Sequence, residues 1–252
     1  MTVQPQPTPG PASRPRPSWY ALERGGWRDY VTLLHLPYTA WHVSYVVIGG
    51  CLASVVAWGR LGAAAAAFAL AVGVGAHALD ELRGRPLRTR IPDAVLVGLA
   101  AVSIAAASAI GLIGALSFQP WIALLVPVGI FLVVAYNLEL AGGRFHTDLW
   151  FALAWGAFPL LCGYAAVAGS LDATAVVAAA FAVLLSLAQR TLSSHVRRAR
   201  RDVTAVHGEL ELRDGAVEHL DVDALISPAE HALRLLAGVT VVLAVALVIS
   251  RL

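Results

Sequence analysis

His77, Asp80 and Glu81 stand at i, i+3 and i+4 in the segment GAHALDELRGRPL, a spacing that puts all three on one face of a helix. Two carboxylates and an imidazole so placed could grip a cation, or share the work of general acid and base. Similar groups gather elsewhere: Asn137 and Glu139, His146 and Asp148, and Gln189, Arg190 and His195. Each set closes or opens a long apolar stretch. His42 lies about two turns inside the first stretch and could point down into the same space. The expectation is one cavity lined by His77, Asp80, Glu81, Asn137, Glu139, His146 and His195. Water also collects polar residues at helix ends, so each group has an interfacial reading beside the chemical one. His35, His207, His219 and His231 read as kink or solvated residues, and the tryptophans as interfacial belts.

The stretches that carry these groups are membrane-like. The chain has 252 residues, 58% of them hydrophobic and only 13% charged, with mean hydropathy +0.72. Soluble domains carry about 25% charged residues, so a soluble enzyme and a disordered regulator are both excluded. A net charge of +2 is too small to suggest nucleic acid. Cys51 and Cys162 sit in apolar runs and offer neither a disulfide framework nor a zinc ribbon.

Spanning the hydrocarbon core takes about 20 apolar residues. Seven stretches meet or approach this: 31–57, 61–82, 93–116, 119–138, 148–169, 172–192 and 229–251. The fold class is therefore all-α, an integral membrane bundle of about seven helices. A Pro-rich disordered tail is expected over 1–17 and an interfacial segment over 18–30. Six helices should fill 31–192, a cytoplasmic cap 193–228, and a seventh helix 229–252. Asp214-Gly215 between short alternating runs predicts a β-hairpin in that cap, with a helical cap as the competing reading. All basic residues are arginine. An inside N-terminus places sixteen of them inside and only Arg60 and Arg251 outside. That predicts a multi-pass protein of the cell membrane with a cytoplasmic N-terminus.

The order of motifs resembles the UbiA-type membrane prenyltransferases over about residues 30–200. LLHLPYTAWHVSYVVIGGCLA is similar to their first span, and GAHALDELRGRPL to the end of the second, where an Asn-Asp pair leads an Asp-rich motif. YNLELAGGRFHTDLWFALAWGAFPLLCGYAAVAG resembles their central tyrosine-containing helix end, inner loop and following span. QRTLSSHVRRARRD sits where a second Asp-rich motif would be. The resemblance implies magnesium (Mg2+), a prenyl diphosphate and an isoprenoid or other lipid-borne substrate. Asp80 and Glu81 occupy the first acid pair, whereas Gly84 takes the next acid position and Arg190 and Arg197 those of the second motif. Arginine cannot bind magnesium but can hold phosphate oxygens bidentately.

Three functions follow. In the first, a divergent UbiA-like enzyme uses Asp80, Glu81, His77 and Glu139 for catalysis, while Arg85, Asn137, Arg190, His195 and Arg197 bind substrate. In the second, Asp80, Glu81, His77, His146 and Asp148 hold iron or zinc for oxidation or hydrolysis. The third is a non-catalytic lipid-binding or assembly protein. Transport is less attractive, because neither an inverted repeat nor a broken-helix pair is evident.

Overall fold

The computed structural model describes residues 17–252, so the tail expected over 1–17 lies outside the described residues except for Pro17. Among the described residues six helices are long and apolar enough to cross a membrane: α3 (Trp58–Leu82), α4 (Asp93–Phe118), α5 (Pro120–Asn137), α6 (Asp148–Ala168), α7 (Ala173–Asp202) and α8 (Val222–Ile249). All six follow two shorter helices, α1 (Trp27–Leu33) and α2 (Leu36–Cys51). The chain is a multi-pass membrane protein.

The stretch at 31–57 does not form a long apolar helix. His35 takes a left-handed conformation (φ 44°), and α2 restarts behind it with Pro37 in its first turn. Its 16 residues reach about 24 Å, short of the ~30 Å hydrocarbon core. Yet α2 is the central rod. Trp41, Tyr45, Val46 and Cys51 are fully buried, and it packs chiefly on α6 and α8. At its crossing with α6, a Cβ on Gly49 would lie 2.1 Å from the Leu160 carbonyl oxygen. One on Gly163 would lie 2.0 Å from that of Val46. The two backbones touch because neither glycine carries a side chain.

Helix ends follow local chemistry. The Asp172, Asp221 and Thr147 side chains accept from the backbone N–H of Ala175, Ala224 and Trp150, capping α7, α8 and α6. Gly169, at φ 74°, ends α6. Two π-helical turns interrupt the rods, Ala71–Ala76 in α3 and Leu153–Ala157 in α6. Such insertions re-aim the side chains that follow and recur at functional sites.

The soluble segment is narrower than 193–228, because α7 continues to Asp202 and α8 begins at Val222. Between them β1 (Glu209–Glu211) pairs antiparallel with β2 (Val217–His219), Leu210 opposite Glu218. The turn is the Asp214-Gly215 pair. Gly215 takes φ 84°, and the Ala216 N–H donates to the Asp214 carboxylate at 3.0 Å. All six strand residues are exposed.

Residues 18–30 fold against the bundle. Asp29 is buried and accepts from the backbone N–H of Gly25 and of Arg90, each at 2.9 Å. This ties the segment to the loop between α3 and α4. Trp19 lies beneath the Arg234 guanidinium of α8.

Candidate functional site

A polar cavity of about 220 Å³ opens where α2, α3, α5, α6 and α7 converge. Each contributes from a position set by its own backbone. The π-turn of α3 packs on α2 at Gly73, where a Cβ would sit 2.8 Å from Thr39. His77 and Asp80 follow it directly. Tyr136 and Asn137 end α5, and Glu139 leaves it in a left-handed conformation (φ 50°). His146 precedes α6, whose Phe151 and Trp155 form a wall, and α7 supplies Gln189, Arg190, Arg197 and Arg201.

The histidines are held in one tautomer. Carbonyl oxygens only accept, so the ring nitrogen facing one must carry the proton. Nδ1–H of His42 donates to the Trp155 oxygen at 2.8 Å, that of His146 to Tyr136 at 3.1 Å, and that of His77 to Gly73 at 3.3 Å. Pro159 explains the first of these, since it has no N–H to give the carbonyl four residues back. In the neutral form of each ring this leaves Nε2 as the acceptor. His35 stacks on His77 with centroids 4.0 Å apart, and Tyr20 Oη meets its Nδ1 at 2.8 Å. Burial pushes the Tyr20 phenol well above its ordinary value, so it stays an O–H group there.

Four arginines, Arg83, Arg190, Arg197 and Arg201, line the cavity against two carboxylates, Asp80 and Glu139. Glu139 is taken by Arg83 at 2.9 Å. Arg190 pairs through Nε with Asp148 at 2.8 Å and lies 5.5 Å above the Phe151 ring. Arg197 rests on hydroxyls, donating to Ser193 at 3.1 Å and Ser194 at 2.9 Å, and forms no ion pair among the described residues. Two lining side chains more than nine-tenths buried, Tyr136 of α5 and Gln189 of α7, leave the phenol oxygen and Oε1 without a hydrogen-bond partner among the described residues. Buried polar atoms of that kind have hydrogen-bonding capacity left for a water or a ligand in the cavity.

Several expected members lie elsewhere. Glu81 is fully buried and away from the cavity: its carboxylate accepts from Leu87 N–H (2.9 Å), Thr89 N–H (2.8 Å) and the Thr89 hydroxyl (2.9 Å). It anchors the loop after α3 instead of pairing with Asp80. Arg85 is bound to Asp93 and the Ile91 carbonyl in that loop. His195 is exposed, with Nε2 donating to the Leu225 carbonyl at 3.1 Å. Asp148 serves Arg190 from outside the lining, and the hairpin contributes no lining residue. In the other direction, His35, Tyr38, Tyr136, Phe151, Trp155 and Arg201 line a cavity to which the sequence did not assign them. The Tyr136-Asn137 pair ending an apolar run was the available signal for Tyr136.

The donor set does not suit the magnesium site that the resemblance implies. Asp80 is the one lining carboxylate without an ion-pair partner among the described residues, and arginines stand where further acids would be needed. Nor do any three His, Cys, Asp or Glu side chains among the described residues form a group able to hold a metal ion. The residues considered for iron or zinc, Asp80, Glu81, His77, His146 and Asp148, are thus not gathered into such a group among the described residues.

A second cavity, about 260 Å³ and almost wholly apolar, lies along α3, α4, α5 and α6. Val72 and Trp155 line both cavities and so belong to the wall that the polar space and the apolar one share. No family model, curated protein or solved structure matches the chain.

Proposed function

We propose that this chain is a divergent UbiA-like intramembrane enzyme acting on an isoprenoid or similar lipid whose head is anionic, with the polar cavity on the cytoplasmic side. The observation that carries the reading is that Val72 and Trp155 line both an arginine-rich chamber and an apolar one beside it inside a membrane bundle. An amphiphile with a phosphate head and a hydrocarbon tail matches both halves.

Arg197, Arg190 and Arg201 hold the phosphate oxygens directly, replacing the metal-mediated grip of the two-motif enzymes. For a prenyl diphosphate, the allylic C–O bond breaks with its electron pair leaving on the diphosphate, and these guanidiniums stabilise the developing charge. The allylic cation is shielded by the faces of Tyr136, Phe151 and Trp155. It bonds to an electron-rich acceptor, whose proton passes to Asp80. Engagement of Glu81 and Glu139 elsewhere favours a second reading, in which the same cavities bind the lipid without turnover.

Titration of the full chain in nanodiscs with farnesyl diphosphate, with and without added magnesium, tests the proposal. Saturable binding in the presence of a chelator is expected. Binding that needs magnesium would overturn direct arginine capture, and no binding in either condition would overturn the anionic-head reading.

A further inference from the structure

The polar chamber holds a second kind of chemistry beside its arginines. A diphosphate brings only acceptor oxygens, which suit Arg190, Arg197 and Arg201 and no group that itself accepts. Much of the remaining lining does accept. His42, His77 and His146 each spend Nδ1–H on a backbone carbonyl and in the neutral ring keep Nε2 as an acceptor. Asn137 donates Nδ2 to the Val133 carbonyl at 2.7 Å and keeps Oδ1.

Three further lining residues each carry a buried atom without a hydrogen-bond partner among the described residues: the Tyr136 hydroxyl, Gln189 Oε1 and His35 Nε2. They belong to the end of α5, to α7 and to the break before α2. One small group cannot serve three elements at once. Their needs also differ. Oε1 requires a donor, and a phenol takes either kind of partner. The Tyr20 hydroxyl engages His35 Nδ1, and whichever of the two donates, Nε2 is left as an N–H or as a lone pair. A phosphate oxygen only accepts and an ammonium only donates, whereas a hydroxyl does both. Four arginines facing two carboxylates disfavour an ammonium further.

We infer that these residues bind a polyhydroxylated acceptor, a polyol or sugar, beside the anionic head of the lipid. The inference rests on the reading that the arginines hold that head. Once the diphosphate has left with the electron pair of its C–O bond, one hydroxyl oxygen of the polyol bonds to the allylic carbon. The proton of that hydroxyl passes to Asp80, and the product is an ether. A site built to hydrogen-bond hydroxyls rejects analogues that lack them, because its own polar groups are then left unpaired.

Binding to the full chain in nanodiscs, loaded with unreactive farnesyl thiodiphosphate, tests this. Ribitol and myo-inositol are the probes, with cyclohexanol and 4-hydroxybenzoate beside them. A polyol should bind saturably and at least about tenfold more tightly than cyclohexanol. Gln189→Leu and Tyr136→Phe each remove one unpaired atom and should lower polyol affinity about tenfold. Farnesyl thiodiphosphate affinity within about twofold of wild type reports that Gln189→Leu is folded. Polyol binding that the variants weaken, without any binding of the lipid, would sink the anionic-head reading and leave the hydroxyl site standing. Cyclohexanol or 4-hydroxybenzoate binding as tightly as the polyols would overturn the inference. So would a polyol affinity that neither variant lowers. Lipid binding without any polyol binding would also overturn it, the unpaired atoms then serving water alone.

Discussion

His42 on α2 donates its Nδ1 proton to the backbone oxygen of Trp155 on α6, at 2.8 Å and out of contact with water. The bond closes a gap left by Pro159 and fixes Trp155 in the wall that the two cavities share. His42→Phe fills the space but leaves that carbonyl unsatisfied, at a cost of about 1–3 kcal/mol. Thermal unfolding in detergent should show a lowered Tm. An unchanged Tm would mean the carbonyl finds another donor.

Neighbouring acids should separate cleanly. Glu81→Gln cannot accept all three of its hydrogen bonds and should destabilise the loop after α3 by about 2–4 kcal/mol. Protein that remains folded should keep the wild-type affinity for farnesyl diphosphate. Asp80→Asn should leave Tm nearly unchanged and remove turnover. The pair of measurements, Tm and product formation, fails the assignment if the two variants exchange phenotypes.

Arg197 and Arg198 are adjacent on α7, but only Arg197 lines the polar chamber. Arg197→Lys keeps the charge and loses the planar fork, so affinity for a diphosphate lipid should fall about tenfold. Arg198→Lys, on an exposed side chain, should change it by less than about twofold. Titrations at one ionic strength distinguish them, and equal losses would point to a general surface field.

Arg200 on α7 reaches Glu230 on α8 through both Nε, at 3.0 Å, and a terminal nitrogen, at 2.6 Å. The side chains are 12% and 9% exposed. Removing the acid takes the ion-pair partner from a nearly buried guanidinium, so Glu230→Ala should cost about 3–5 kcal/mol. Replacing both partners with leucine and methionine should recover much of the loss. Chemical unfolding of the single and double variants measures this coupling.

Asp172, between α6 and α7, accepts from the Tyr164 hydroxyl at 2.6 Å and from Ala175 N–H at 3.1 Å. The hydroxyl first, then the backbone N–H, holds its carboxyl below the usual carboxylate range. The stabilisation is therefore present above the ordinary carboxylate pKa of about 3.9 and is lost as pH falls through the lower folded value. Tm followed below pH 5 should drop less steeply in Tyr164→Phe than in wild type. Parallel profiles would place the acid sensitivity elsewhere.

Hydropathy was enough to locate the rods from Trp58 to Ile249, because each must be apolar along most of its length to sit in lipid. It failed at 31–57, where the sequence stays apolar through a backbone break at His35 that hydropathy does not sense. In the cavity, His77, Asp80, Asn137, Glu139, His146, Arg190 and Arg197 were legible as ionisable or amide groups out of place near apolar runs. Glu81 was misread because helical spacing fixes where a side chain starts and not what folds back to meet it. The turns at Arg85 and Arg88, both with positive φ, carry Leu87 and Thr89 to its carboxylate. Trp155 and His35 belong to the site through contacts between helices far apart in sequence, which no local pattern records.

The contact of bare backbones at Gly49 and Gly163 has a mechanical consequence. With carbonyls pressed against the opposing chain, α2 and α6 have no compressible layer between them and turn only as a single lever. Any widening of the polar chamber must then come from its other walls. There α7 is held to α8 by buried apolar side chains, Val196 and Ala199 against Ile226 and Leu233, beside the Arg200–Glu230 pair, so those two helices too would move together, with the seam at the two glycines as the fixed edge.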